Sequence, residues 1–493
     1  MGRKLQSVGG IAIRLGASLV VVFGAASCRA ELLDTENHLA DEVLGATFEA
    51  RFANRPLLAV NGDTKKRGRD ALFDDDEVEQ VADTGLKLKE SPSSGLKGYF
   101  QVELAHTTGS QAHWSKMLNR ADIGSQGSLG DGIKWKLGAR VDYDAVYDRY
   151  DYYPGAVARD QRFNLSLREN YIDFGAGDWD FRLGKQHVVW GEMVGLFFAD
   201  VVSARDMREF ILPEFDTMRI PQWAARAEYF NDDFHAELLW IPVASYDQIG
   251  KPGAEFFPDQ PRISGLNVIY RNEDIPSRRL SNTNYGLRLS GLRNGWDVSG
   301  FVYSSMDNTA TFYRDAQSQP GAIVYEARHD RINQLGGTLS KDFGSVVLKA
   351  ESVYTRGRQF SVVRFSDVDG VVPQNTLDWA VGLDFALPAD TRLNVQLFQR
   401  YFFEHDADLI SDKREDGYSL LLNRKLSDQF EVQALLISSL NRTDWLFRPK
   451  VVWSFEKNWR LTFGADVFKG PAVGVFGRYD GNDRVYSEVR YSF

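Results

Sequence analysis

The sequence has few of the features that identify soluble enzymes or nucleic-acid-binding proteins. Its 493 residues include a single cysteine, Cys28, which excludes an intramolecular disulfide. The seven histidines show no repeated metal spacing, and no Walker loop, dinucleotide fingerprint or nucleophile elbow is present. A net charge of −10 without a basic domain argues against nucleic acid as a partner. We therefore expect neither an enzyme nor a resident cofactor or metal.

Residues 1–30 have the order of a secretory signal peptide. Basic residues such as Arg3 precede an uncharged run at 15–26, and small residues follow up to Ala30. This run is too short for a membrane helix, and no later stretch is long and uncharged enough for one. Cleavage after Ala30 is one interpretation. The other is lipoprotein-type processing, which would make Cys28 the lipidated first residue of the mature chain.

Residues 31–95 do not follow the pattern of the rest of the chain. They include a block of mixed charge at 64–80. We interpret the whole segment as a periplasmic extension, with a partial plug of the lumen as the alternative.

Apolar and charged residues alternate with a period of two through most of the chain from residue 132 onward. In the segment 132–143, Trp135 and Leu137 fall on one face of a strand, and Lys134 and Lys136 fall on the other. The same pattern would suit a soluble β-sandwich, whose apolar face is its core. The connections between the segments separate the two interpretations.

Short turns and long loops follow each other in strict order along the chain. The turns "GAGD" at 175–178 and "RNG" at 293–295 contrast with polar loops such as 144–160 and 243–283. Outer-membrane barrels sort their connections in this way, with the short turns on the periplasmic side. Aromatic residues, which favour the boundary between hydrocarbon and water, directly follow five of the turns: Trp179, Phe234, Trp296, Phe430 and Trp459.

These observations predict an all-β fold, a closed antiparallel transmembrane β-barrel over residues 96–493. Counting strands back from the C-terminus gives eighteen, an even number. The segment 114–127 is the weakest of these strands, and sixteen strands is the alternative. The last strand ends at Phe493, which resembles the C-terminal signature that barrel-assembly machinery recognises. The expected location is the outer membrane of a Gram-negative bacterium, in contact with its lipid and lipopolysaccharide.

Charged side chains on the inner face predict a wet lumen, because charge is costly against lipid and inexpensive beside water. Basic groups are in modest excess there. A bias toward anionic solutes is one consequence, and a self-neutralising lattice of cross-strand ion pairs is the alternative. The basic residues that we expect to line the lumen are Arg140, Arg162, Arg182, Arg226, Arg288, Arg392, Arg400, Lys450 and Arg490.

The connection 190–221 is too apolar for an ordinary exposed loop. Folding inward would bury its apolar residues and give its charged residues partners inside the barrel. It would then constrict the pore, and the alternative is a loop packed over the barrel mouth for stability alone. The predicted constriction residues are Trp190, Glu192, Asp200, Arg205, Asp206, Arg208, Glu209 and Arg219.

The segment "LRENYIDFGAGDWDFRLGKQHVVWGE" at 167–192 resembles an outer-membrane family catalogued as domain of unknown function 1302 (DUF1302). The resemblance continues through 200–213, 219–230 and 237–242. It departs at residues 203–205, where Ser-Ala-Arg stands in place of an asparagine-proline pair. The resemblance implies a barrel without an established substrate, and it singles out Arg168, Glu169, Arg182, Gln186, Trp190 and Glu192.

Strict alternation places Glu169 on the apolar face, so a bulge or a register shift is expected there. More distantly, the architecture is similar to that of alginate-export porins, which have eighteen strands and a basic lumen. That likeness implies export of an acidic polymer or a lipid-like product.

The function that the sequence favours is a channel, either a porin or an export pore coupled to an inner-membrane exporter. It would pass small or polymeric solutes, with anionic and lipid-like molecules as candidates. The rival functions are a structural or adhesion barrel whose loops bind a surface partner, and a barrel enzyme whose scattered site the sequence does not reveal.

Overall fold

The computed structural model describes residues 95–493 apart from 131, 192, 194–197, 232, 261–264, 316–320 and 365. The predicted signal peptide, 1–30, and the predicted extension, 31–95, lie outside the described residues except for Gly95.

Eighteen strands among the described residues form one closed antiparallel sheet, which confirms the predicted barrel and its strand number. The weakly patterned segment after residue 114 is one of them. The strands are β1 Leu96–Thr107, β2 Trp114–Leu129, β3 Ile133–Asp144, β4 Phe163–Ala176, β5 Trp179–Gln186, β8 Gln222–Asn231, β9 Phe234–Val243, β11 Asn284–Arg293, β12 Trp296–Met306, β15 Arg331–Asp342, β16 Val346–Ser361, β17 Val371–Leu387, β18 Thr391–Phe403, β19 Arg414–Lys425, β20 Phe430–Ser439, β21 Trp445–Glu456, β22 Trp459–Lys469 and β23 Arg484–Ser492.

The connections contain the smaller elements. The strands β6 Ala204–Arg205 and β7 Arg219–Ile220 pair with each other, and β10 Asn267–Tyr270, β13 Thr311–Asp315 and β14 Ala322–Arg328 form a three-stranded sheet. Short helices span Val146–Arg149, Gly155–Gln161 and Phe215–Met218, with 3₁₀ turns at Leu280–Asn282 and Gly477–Tyr479. No helix in the described part of the chain combines the length and the apolar character needed to cross a membrane.

The barrel closes between its first and last strands. β1 and β23 pair antiparallel, with Phe100 opposite Tyr491, and the N–H of Gly98 donates to the carbonyl of Phe493 at 3.0 Å. Closure leaves no unpaired strand edge, which a sheet surrounded by lipid requires. Near the short turns, Trp179 lies 5.2 Å from Tyr229 between ring centroids, as expected for an aromatic girdle.

The outer face of the wall is apolar and the inner face is polar, as the alternation predicted. Leu165 is 65% exposed on the outer face, whereas Asp173 and Asp466 are buried on the inner one. A soluble protein would bury the apolar face, so an exposed apolar belt on a closed barrel is typical of a wall that lipid covers.

A β-bulge resolves the position of Glu169. The pairing of β3 with β4 shifts between Leu137 and Ala139, so that Gly138 faces both Arg168 and Glu169. A bulge places two neighbouring side chains on the same face of a strand. Glu169 therefore turns inward, where its carboxylate lies 2.9 Å from Lys136 Nζ.

Candidate functional site: the inward loop and the lumen

The described residues of the connection 187–221, between β5 and β8, form the inward loop. Strand order places β21 near the far side of the ring from β5 and β8, yet the guanidinium of Arg448 on β21 donates to the carbonyl of Leu212 in the loop at 2.6 Å. The loop therefore crosses the lumen instead of covering the mouth of the barrel. Its contacts with the wall are charge-assisted hydrogen bonds and apolar packing.

The first part of the loop is fixed by two buried carboxylates of the wall. The indole N–H of Trp190 donates to Glu237 Oε1 at 3.1 Å, and Trp190 is only 1% exposed. Glu351 on β16 accepts the backbone N–H groups of Met193 at 2.7 Å and of Ala199 at 3.1 Å. These bonds compensate the burial of the two carboxylates, because hydrogen bonds to a charged acceptor are stronger than neutral ones.

The middle of the loop is held by cations of the wall. Glu209 lies 2.7 Å from Arg484 Nη1 and 3.4 Å from Lys116 Nζ. Asp466, which is fully buried, accepts from Arg484 at 2.8 Å and from Arg448 at 2.7 Å. Asp466 thus orients both arginines that hold the loop.

The loop carboxylates are stabilised in their charged form. Burial alone would raise the pKa of Glu209, but Lys116 and Arg484 outweigh it and hold that pKa below its ordinary value. Burial alone would also raise the pKa of Glu214. Lys450, 3.1 Å away, and more distant arginines outweigh burial and lower this pKa to about 2. Both ion pairs therefore persist at any physiological pH.

The last part of the loop contacts β3 and β4. Arg140 Nη1 donates to the carbonyl of Thr217 at 2.8 Å. Arg168, which faces the lumen beside Glu169, donates to the carbonyls of Asp216 at 2.9 Å and Arg219 at 3.0 Å. Arg219 in turn pairs with Asp200 at 2.9 Å, which ties the two limbs of the loop together.

A cavity lies on each side of the loop. One cavity lies at the end of the barrel that carries the long loops, which we call the long-loop end. It has a volume of about 1220 Å³ and is lined by residues such as Phe198 and Arg400. The other cavity lies toward the end that carries the short turns, which we call the short-turn end. It has a volume of about 600 Å³ and is lined by residues such as Pro213 and Lys349. Ile211 of the loop and Ile437 of β20 line both cavities, so they lie where the two cavities meet.

Most of the predicted basic residues lie on the inner face and have acidic partners. Arg182 pairs with Asp173 at 3.0 Å and Arg400 with Asp378 at 2.6 Å. Further ion pairs join Arg140 to Asp122, Arg226 to Glu228, Lys450 to Glu214 and Arg490 to Glu488. Arg288 is buried on β11, and Arg392 lines the cavity at the short-turn end.

Arg162 is the exception and corrects the prediction that it lines the lumen. It follows the helix Gly155–Gln161 and precedes β4, because the chain is still helical at the position where an extended strand was expected. Its half-exposed side chain pairs with Asp148 in the long-loop region at 3.1 Å.

The predicted constriction residues fall into separate groups. Asp200 and Arg219 form one pair, Arg208 and Asp206 form another at 2.6 Å, and Glu209 reaches the wall. The other two described residues are Trp190, which packs against Phe301 and Tyr303, and Arg205, whose backbone N–H donates to Asp247. Glu192 lies outside the described residues.

Sequence reasoning assigned no anchoring role to Lys116, Glu351 or Asp466. Their inward orientation follows from the alternation, but their loop contacts do not. The separation between Glu209 and Arg484 is 275 residues, and no local pattern encodes such a pair.

Glu228, His235 and Glu237 bring one ligand atom each within 4.8 Å of one another, the composition of a metal site. Arg226 lies 2.8 Å from Glu228, and the indole of Trp190 donates to Glu237. The guanidinium group and the indole N–H already occupy carboxylate oxygens that a cation would need, so the group fits an internal polar network better than a metal site.

We expect Gly286→Ala to disturb the Trp190 anchor. A Cβ at this position would lie 2.7 Å from the Trp190 ring and 2.9 Å from the Tyr303 ring, inside van der Waals contact. Overpacking of this kind typically costs about 1–3 kcal/mol. The measurement is the midpoint temperature of unfolding, followed in detergent gels in which the folded barrel migrates differently from the unfolded chain.

The matched control is Gly124→Ala, on the inner face of β2, where the nearest atom to a new Cβ is a backbone oxygen at 3.4 Å. The midpoint temperature of unfolding should fall for the Gly286 variant and stay close to the wild-type value for the Gly124 variant. Equal midpoints for both variants would contradict the assigned packing.

Comparison with known proteins agrees with this geometry. The family model described as "Protein of unknown function (DUF1302)" matches residues 113–389, more than half of the chain. No curated protein matches the sequence.

Among solved structures, OccAB1 of Acinetobacter baumannii is similar with a TM-score of 0.51 and 8% identity, over 81% of this chain and 95% of that chain. OccK8 (OprE) of Pseudomonas aeruginosa has a TM-score of 0.47 and 10% identity, over 81% and 97%. The likeness to OccAB1 shows that the two chains share a barrel fold.

Proposed function

The chain belongs to the family described as protein of unknown function DUF1302, and we propose that it is an outer-membrane channel narrowed by its inward loop. The observation that carries the proposal is a loop that crosses a polar lumen between two cavities. A barrel that served only as a scaffold or an adhesin would need an interior filled by its own side chains, and an enzyme would need a reactive constellation. The inward loop instead narrows a wet passage.

The proposed setting follows from the outer surface. The apolar belt would contact the lipid and lipopolysaccharide of a Gram-negative outer membrane, and the terminal strand with Phe493 would be read by barrel-assembly machinery. Coupling to an inner-membrane exporter belongs to the same proposal, since the short-turn end opens toward the periplasm.

Charge selectivity is expected to be weak, because most lumen cations have an acidic partner. The cavity at the long-loop end is lined by eight carboxylates and five guanidinium groups. This excess of carboxylates argues against a bias toward anions, and the ion pairs of the lumen cations support the lattice.

The test is ion conduction in planar bilayers. The purified protein should produce discrete current steps, which a structural or adhesion barrel with a filled interior would not give. In a salt gradient the reversal potential should lie close to zero, since the lumen charges are paired. Clear anion preference would contradict the lattice, and the absence of steps would contradict the channel.

A further inference from the structure

An apolar stripe interrupts the polar inner wall on neighbouring strands. It consists of Phe398 on β18, Leu421 on β19, Leu435 and Ile437 on β20, and Leu446 on β21. Their neighbours in sequence point to the lipid side, so these side chains share the inner face. Most of the other inner-face residues of these strands are polar, such as Gln396 and Lys450.

The stripe runs from one cavity to the other. Phe398 lines the cavity at the long-loop end, and Leu421, Leu435 and Leu446 line the cavity at the short-turn end. Ile437 lines both. The two cavities are therefore joined by apolar surface at the point where the loop narrows the lumen.

The loop presents a matching apolar surface to the stripe. Ile211 and Phe210 are half-buried and pack against the cluster that contains Ile437 and Leu446, and Leu212 is buried in it. The loop thus faces the wall with apolar side chains here, although charged anchors flank this position at Glu209 and Glu214.

The backbone of the loop is strained at this same point. Phe210 has a φ of 53°, in the left-handed region that bulky side chains rarely adopt. Such strain persists where the surroundings hold the residue in place, and it is concentrated at ligand clamps and switch regions. Here it aims an aromatic ring at the buried aromatic residues beside the stripe, with Tyr479 5.0 Å and Phe468 6.3 Å away between ring centroids.

We infer that the channel passes single-chain amphiphiles, whose aliphatic chain follows the partly exposed side of the apolar stripe at Phe398 and Leu435 while the polar head travels in the charged lumen. The inference rests on the proposed channel function and names its substrate class. A strictly hydrophilic solute gains nothing from apolar surface at the narrowest region, whereas an aliphatic chain loses contact with water there. The partly exposed Leu435 and Phe398 keep this surface accessible from both cavities.

The test is block of the ion current of the full-length protein by sodium alkanoates, from butanoate to octanoate, in planar bilayers. The half-blocking concentration should fall with each added methylene, by up to about fourfold, which corresponds to about 0.8 kcal/mol for complete burial of one CH₂. Ile437→Thr should flatten this dependence, because it places a hydroxyl on the surface that the chain contacts. Leu435→Asn should have the same effect at the short-turn end.

The matched control is Ile332→Thr. Ile332 is buried on the inner face of β15 and lines the cavity at the long-loop end, but it lies outside the stripe. This variant should keep the wild-type dependence on chain length, as should Ile437→Val, which retains an apolar side chain. Chain-length independence in the wild type, or an unchanged slope in both stripe variants, would overturn the substrate class and leave the channel intact. The absence of any current would overturn the channel and this inference together.

Discussion

Replacement of residues 207–217 by an Asn-Gly turn should raise the single-channel conductance severalfold. The ends of this segment already lie side by side, because Ala204 pairs with Ile220 and Arg205 with Arg219. Asn-Gly is the preferred sequence for a two-residue hairpin turn, so the shortened loop can close without strain. The deletion removes the part of the loop that lies between the two cavities, and the path for ions becomes wider.

A deletion outside the lumen is the control for this prediction. Residues 275–278 are mostly exposed in the long connection between β9 and β11 and line neither of the two lumen cavities. Their replacement by the same turn should leave conductance unchanged. If both variants conduct like the wild type, the inward loop does not limit the current, and the alternative of a purely stabilising loop is preferred.

Asp466→Ala should lower the free energy of unfolding by about 3 kcal/mol, and by more if the side chains around the removed carboxylate cannot rearrange. Asp466 is fully buried between Arg448 and Arg484, and its removal leaves two buried guanidinium groups with fewer acceptors. Both arginines also hold the inward loop, at Leu212 and at Glu209. The current through the variant should therefore be noisier than that of the wild type. The free energy of unfolding in denaturant and the variance of the open-channel current are the two measurements.

Asp384→Ala is the matched control. Asp384 also lies on the inner wall and pairs with Lys349 at 3.2 Å, but its carboxylate is partly exposed and contacts the wall. An exposed pair of this kind contributes little to stability. Destabilisation by the Asp466 variant without added current noise would mean that the two arginines support the barrel but not the loop.

Particular segments show where sequence reasoning succeeds and where it fails. The alternation at 132–143 predicted β3 correctly because a charged face and an apolar face cannot be exchanged in a membrane. At Glu169 the same rule gave the wrong face, since a bulge turns two successive side chains to the same side of the strand. At 434–437 four successive apolar residues carry no alternation, so this segment taken by itself does not show that Leu435 and Ile437 face inward.

The sequence by itself determined the barrel, its eighteen strands, the polarity of its two faces and the separation of short turns from long loops. These properties depend on side chains a few residues apart, whose orientation the pleat of a strand dictates. Only the tertiary structure decided where the inward loop lies, which wall cations hold it and where the wall is apolar between the two cavities. Such contacts join residues hundreds of positions apart, and their partners are chosen by the closure of the ring and by the need to pair every charge buried inside it.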